Sequence, residues 1–261
     1  MDDQTANLSL GFAALTTLEL TGRACSHVQR SLELNCTLNL ETAAALQAMR
    51  SAAANDGIDI WPVSGFRDFE RQLALWNGKF RGERPVLDAA SRPLESMSLT
   101  VEARTAAILV WSALPGASRH HWGSDCDVID ARALRPGETP ALLSIDYAPG
   151  GRYDRLAQWL GRNAHDFGFF HPYDRDRGGV QPEPWHLSFA PIAGPALRAM
   201  SPVLLLEALA SAPLLEGRQI IESQLTTLFE RYVVAVAAVP AAALAAMALS
   251  PAMLSRAAKP A

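Results

Sequence analysis

Apolar residues recur at helical spacing over 41–58, where Ala44, Leu46, Met49 and Ala52 stand among strong helix formers and Asn55-Asp56-Gly57 supplies the stop. The next stretch, IDIWPVSGF, is β-branched and aromatic and predicts a short strand ending at Ser64-Gly65. RDFERQLALWNGKF predicts a second helix, with Phe69, Leu73 and Trp76 on one side. Pro85, Arg92-Pro93 and scattered charges make 81–97 a loop. A third helix is predicted over 100–114, closed by Pro115-Gly116, followed by a strand over 126–129 and a turn at Arg135-Pro136-Gly137. A helix over 153–166 comes next, then strands over 167–172 and 185–189. Between those strands, 174–184 is rich in Asp, Arg, Gly and Pro and reads as a loop. The stretch before residue 40 is mixed in character.

The pattern changes near Pro202. Residues 204–237 read as one long Leu/Ala-rich helix, and from Pro240 the chain is nearly all Ala, Leu, Met and Pro. The apolar run 233–249 approaches the lower length limit for a membrane span. It is mostly Ala and Pro240 interrupts it, so a packed helix and a loose tail are expected rather than membrane contact. The division that follows is 1–200 and a helical extension, 201–261, with an Ala/Pro-rich tail.

A length of 261 residues suits one domain with an extension or two small domains, and 49% hydrophobic residues are ample for a core. The net charge of −4 offers no basic surface for nucleic acid. The three cysteines, Cys25, Cys36 and Cys126, fit no disulfide framework and no CxxC zinc module. They are three thiols of a reducing compartment, or include a Cys25–Cys36 bridge if the protein is exported. The chain begins with Asp2 and Asp3 where a secretory signal needs positive charge, and the apolar stretch after them is broken, so no signal peptide is read.

Two clusters carry candidate chemistry: Ser118-Arg119-His120-His121-Trp122-Gly123-Ser124-Asp125-Cys126-Asp127 and Glu183-Pro184-Trp185-His186. Together they offer His, Asp and His as metal ligands and a spare Glu. Zinc in hydrolases takes three N/O ligands and leaves a fourth place for water, and a carboxylate outside the ligand set can take that water's proton. Either cluster alone would carry little weight, since a lone Glu-x-x-His arises by chance.

Ser118-x-His120-x-x-Gly123-x-x-x-Asp127 with Glu183-x-x-His186 resembles the signature of the VanY-type zinc D-Ala-D-Ala carboxypeptidases, part of the LAS group of metallopeptidases. Ser64-Gly65-Phe66-Arg67-Asp68-Phe69-Glu70-Arg71-Gln72 is similar to that family's Ser-Gly-Tyr-Arg…Gln stretch. The resemblance covers about residues 20–200. It implies an α+β fold, a small antiparallel sheet with flanking helices, beside the helical C-terminal extension. It implies Zn²⁺ held by His120, Asp127 and His186, with Glu183 as the base. Arg67 is then the arginine that binds substrate and steadies the oxyanion, and Gln72 and Ser118 line the substrate site and help hold a terminal carboxylate.

The chain departs from the pattern at Asp125, where the family often has a small apolar residue. On a strand, Asp125 and Asp127 share a face with Cys126 opposite. Spacing favours Asp127 as ligand, and Asp125 either orients a ligand or is a surface carboxylate. His121 is expected to be structural or to line the substrate site, Trp122 and Trp185 to pack as walls, and Asp130 to belong to the following turn. His27, His165 and His171 match no motif.

The expected function is zinc-dependent hydrolysis of a peptidoglycan stem peptide, with D-alanyl-D-alanine carboxypeptidase action first. L,D-carboxypeptidase and L-Ala-D-Glu endopeptidase action are alternatives on the same site. A non-catalytic zinc module that binds peptidoglycan or a protein is the reading from another class. With no export signal read, action on recycled muropeptides in the cytoplasm is expected, with export by a route lacking a cleaved signal, or a different start, as alternatives.

Overall fold

The computed structural model describes residues 14–248. The signal-peptide expectation falls mainly on residues outside that range, as does the end of the Ala/Pro-rich tail.

The stretch before residue 40 holds two elements that its mixed pattern conceals. The single turn α1 (Thr17–Leu20) is fixed by a reciprocal cap between Thr16 and Glu19. A small hairpin pairs β1 (Gln29–Ser31) with β2 (Cys36–Leu38). The helix α2 (Leu40–Asn55) starts at Asn39, whose side chain accepts from Glu41 N. The strand β3 (Ile60–Ser64) and the helix α3 (Phe69–Phe80) follow, the latter capped by Asp68 accepting from Arg71 N. The predicted loop at 81–97 contains a minimal hairpin, β4 (Val86–Leu87) with β5 (Pro93–Leu94).

The helix α4 (Val101–Leu109) stops short of the predicted end at Leu114. The carbonyls of Val110 and Ala113 accept instead from Gln181 N and the Gln72 amide, so the helical ladder cannot continue. The strand β6 (Asp125–Asp130) is followed by α5 (Ser144–Tyr147) and α6 (Asp154–Asn163). Then come β7 (Phe169–Phe170), β8 (His186–Phe189), α7 (Ala190–Ala199), α8 (Pro202–Ala210), α9 (Arg218–Ser223), α10 (Leu225–Phe229) with a π turn at Glu230–Val234, and α11 (Ala241–Ala248).

The long helix expected over 204–237 is therefore several short ones. Pro213 lies between α8 and α9, and Gly217 sits in the left-handed region at φ 71°, where an added Cβ would stand 2.7 Å from the Phe80 ring. No single helix among the described residues is long and apolar enough to cross a membrane. All three cysteines are free, Cys25 exposed and Cys36 and Cys126 buried, so the Cys25–Cys36 bridge is not formed.

The central sheet has the order β3-β6-β8-β7, antiparallel throughout. Its two faces differ. Cys126, Val128, Leu187 and Phe189 point into one core with Leu46 and Met49 of α2 and Leu156 of α6. The alternate residues, Asp125, Asp127, His186 and Ser188, are polar and buried on the other face. A second core lies beyond them, built on Phe69, Trp76, Ile108 and Trp122.

Leu205, Leu209, Ile221, Leu225 and Phe229 of the C-terminal helices belong to that second core. Trp76 Nε1 donates to Glu216 O at 3.0 Å and Asn77 Nδ2 to Leu214 O at 2.9 Å. On that packing we propose that the extension is an integral cover of the preceding domain. A chain ended at Ser201 is expected to lose its cooperative thermal transition by circular dichroism. Trp76→Ala in the full chain is expected to cost about 3–5 kcal/mol in urea unfolding. An unchanged melt for the shortened chain would overturn the integral role.

Candidate active site

Strand register builds the site. Asp127 stands opposite His186 across β6 and β8, and opposite Ser64 across β6 and β3. His120 comes from a 3₁₀ turn, Arg119–Trp122, that ends at Gly123 in the left-handed region at φ 66°. A side chain at Gly123 would put its Cβ 2.3 Å from Val28 Cγ1 and 3.0 Å from Asn39 N, so the turn requires glycine there.

Each histidine has one ring nitrogen tied to a group behind it and the other turned towards Asp127. His120 Nδ1 donates to Gly65 O at 2.8 Å, leaving Nε2 3.5 Å from Asp127 Oδ2. His186 Nε2 donates to Asp125 Oδ1 at 2.9 Å, and its Nδ1 is hydrogen-bonded to Glu183 Oε2 at 3.1 Å and lies 3.3 Å from Asp127 Oδ1. Ligand atoms of His120, Asp127 and His186 all lie within 4.8 Å of one another, and all three residues are buried. Asp127 Oδ1 is a buried acceptor with no hydrogen-bond partner among the described residues. Two imidazole nitrogens, a carboxylate and an unsatisfied oxygen fit a zinc-type ion with an open fourth place.

The electrostatics favour a cation. Burial would lower His186, but its bonds to Asp125 and Glu183 and the nearness of Asp127 outweigh that and raise it to about 9. Burial raises Asp127 to about 6, against the opposing pull of His186 and Arg67. Burial, with Arg67 and His186 nearby, holds His120 well below the usual range, so it presents a neutral imidazole.

Asp125 is fully buried, which removes the surface-carboxylate alternative. Its Oδ1 also accepts from Arg119 Nε at 2.8 Å, and Arg119 Nη2 donates to Ser188 Oγ at 2.6 Å. Burial would raise Asp125, yet Arg119 and His186 hold it below the usual carboxylate range. The result is a buried relay, Arg119–Asp125–His186, behind the inward-facing Nδ1.

Arg67 is fixed on both backbone and side chain. Its N donates to His120 O at 3.2 Å and its carbonyl accepts from His121 Nδ1 at 2.6 Å. His121 Nε2 accepts from Gly116 N at 3.1 Å, and burial lowers the ring to about 4, so it is a neutral structural group. Arg67 Nη1 donates to Gln72 Oε1 at 2.9 Å, and its Nη2 stands 4.0 Å from Asp127 Oδ2. Gln72 donates its amide to Ala113 O and is 1% exposed, so it stands behind Arg67 rather than lining the cavity as expected.

The cavity itself measures about 210 Å³ and is lined by Arg67, Ser118, His120, Asp127, Glu183 and His186. Trp111, stacked on Trp185 with ring centroids 6.0 Å apart, and Tyr173, edge-on to His186, form its walls. Trp122 is instead fully buried in the core, its Nε1 donating to Leu20 O. Asp130 bonds Asp59 N and caps the turn after β6. His27 bonds His121 O, His171 bonds His186 O, and His165 is exposed beside Asp166.

Residues 35–192 match the family described as VanY, D-alanyl-D-alanine carboxypeptidase. The chain belongs to the VanY family. A 103-residue segment is 41% identical to an uncharacterized protein of Haemophilus influenzae, covering 38% of this chain and 70% of that one. A D-alanyl-D-alanine carboxypeptidase of Enterococcus faecalis is 28% identical over 153 residues, 56% of this chain and 46% of that one. Among solved structures, VanYB in complex with D-alanine-D-alanine gives a TM-score of 0.46 at 21% identity, covering 70% of this chain and 88% of that one.

VanY membership makes the chain a peptidase of the carboxypeptidase class. The features the motif reading missed are Arg119, Ser188, Tyr173 and Trp111. Ser188 was open to inference, since it shares the face of His186 two residues on. Arg119 lies inside the motif, but only the turn at Gly123 brings it back onto Asp125. Tyr173 and Trp111 carry no sequence signal.

Asp125→Asn keeps the shape of the relay and removes its charge. It is expected to weaken Zn²⁺ binding by about 10–100-fold in competition with a chromogenic chelator. Unchanged affinity would reduce the Asp125–His186 contact to packing.

Proposed function

We propose that this VanY-family chain is a zinc carboxypeptidase that removes the terminal D-alanine from peptidoglycan stem peptides. The observation that carries this reading is the convergence of His120, Asp127 and His186 on one buried point with Glu183 Oε2 at 3.1 Å from His186 Nδ1. His120 Nε2, the Asp127 carboxylate and His186 Nδ1 would hold the ion. When bound, zinc supplies Lewis-acid polarisation of the scissile carbonyl and an acidified water.

Glu183 lies outside the ligand set and inside the cavity. Its carboxylate accepts the proton of the attacking water and returns it to the leaving amine nitrogen. Arg67 presents guanidinium donors to the developing oxyanion or to the substrate carboxylate, pre-oriented by Gln72 and His121. Ser118 adds a hydroxyl on the same cavity wall. Trp111, Tyr173 and Trp185 shield the reacting atoms from bulk water. A fixed cation beside the scissile position suits a peptide with a free C-terminal carboxylate, which supports carboxypeptidase over endopeptidase action. Loss of D-alanine from a tetrapeptide stem, an L,D-specificity, would use the same groups. A non-catalytic module has no use for Glu183 at this position.

Purified protein with a pentapeptide-stem muropeptide, read by mass spectrometry, is expected to release one D-alanine. A chelator stops the reaction and added zinc restores it. Glu183→Ala is expected to lose about 10²–10⁴-fold in kcat while retaining zinc. Cleavage elsewhere in the stem would change the specificity. Absence of any cleavage by the zinc-loaded protein would favour the binding-module reading.

A further inference from the structure

Next to the catalytic cavity lies a second depression of about 240 Å³, and Leu87 and Trp111 line both. Its remaining apolar wall includes Leu75, Val86 and Ile108. The charged side chains on it are two cations, Lys79 of α3 and Arg84 of the following turn. No carboxylate among the described residues lies within ion-pair distance of either. The Lys79 ammonium donates to Ser112 Oγ at 2.6 Å, and Ser112 lines the catalytic cavity. Burial lowers Lys79 to about 8, Arg67 and Arg84 push the same way, and Glu183 opposes them. Among the described residues, this half-buried ammonium is hydrogen-bonded to a hydroxyl, has a second cation on the same wall and has no counter-anion in contact.

We infer that Lys79, Arg84 and Ser112 form a second carboxylate subsite, which takes an acidic group on the part of the peptide that stays behind after the terminal residue leaves. This rests on the stem-peptide reading. The leaving alanine carries one carboxylate, and Arg67 is beside the scissile position to meet it. A carboxylate reaching Lys79 past Ser112 and Trp111 therefore belongs to a residue upstream. Stem peptides supply two such groups, the α-carboxylate of γ-linked D-glutamate and the free carboxylate of diaminopimelate. Both offer the charge-assisted hydrogen bonds that Lys79 and Arg84 lack.

The test uses pentapeptide stems identical except that one of these acids is free or amidated. Zinc-loaded wild-type protein is expected to prefer one free acid by about tenfold in kcat/KM, through KM. Lys79→Met is expected to bring that ratio to about one, and Lys79→Arg, which keeps the charge, to retain it. Thermal melts check that both variants fold. The same peptide pairs are titrated calorimetrically into Glu183→Ala protein, whose affinity ratio is expected to show the same preference. Cleavage of acid and amide forms at equal kcat/KM would overturn the subsite while the peptidase reading stands, as would a preference that survives in Lys79→Met. An affinity preference without cleavage by wild type would keep the subsite and remove the peptidase reading. Neither cleavage nor preference would remove both.

Discussion

The bond from His186 Nε2 to Asp125 governs the geometry of the centre. An imidazole has two nitrogens, and only one can face the point where His120 and Asp127 converge. Asp125 takes the outer one at 2.9 Å and thereby fixes both the ring's orientation and its tautomer. A buried carboxylate could not hold this place alone, because its own desolvation would drive it towards protonation. Arg119 answers that by donating to the same oxygen, and Ser188 fixes the guanidinium in turn. His120 is treated more simply, with Gly65 O as a neutral acceptor. The two histidines therefore differ in character: one is backed by a carbonyl, the other by an ionised relay that makes its inward nitrogen the stronger base.

The substrate side follows the same logic. Arg67 is held through its backbone by His120 and His121 and through its side chain by Gln72. The 3₁₀ turn that delivers His120 to the centre thus also positions the arginine across the cavity. Any shift of that turn moves both, which explains the demand for glycine at 123, where a Cβ would strike Val28 and Asn39 N.

Much of this was legible in the sequence because its signals are local. Helices with strong caps, α2 and α3, end close to where their patterns predict, and the strands bearing Asp127 and His186 lie where strands are predicted, over 126–129 and 185–189. The residues that converge, His120, Asp127 and His186, and Glu183 beside them, stand in the motifs that carry the resemblance, which holds spacing information that composition does not. Contacts between distant segments were not legible. Gln72 looked like a cavity residue, yet its amide is drawn away by Ala113 O, a partner set by where α4 breaks off. Asp125 could be read as buried or exposed until Arg119 was seen folded back on it. The long C-terminal helix failed because Leu/Ala content raises helix propensity over a span that Pro213 and Gly217 interrupt.

The C-terminal helices bear on the site through α3. Trp76 and Asn77 of that helix donate to carbonyls at Glu216 and Leu214, and Asn77 Oδ1 accepts from Glu216 N at 3.0 Å. One turn earlier the same helix carries Gln72, the residue that aims Arg67, and at its far end it carries Lys79. A rigid helix transmits a displacement at one turn to the next, since its backbone bonds couple them. The connection between α8 and α9 thus clamps the element that carries Lys79 and the glutamine that holds Arg67. Asp127 and His186 rest on the sheet, and His120 on the 3₁₀ turn that precedes it. The sheet pair and the two cations therefore have different structural supports, which meet at Arg67: its backbone bonds His120 and His121, and its Nη2 stands 4.0 Å from Asp127 Oδ2.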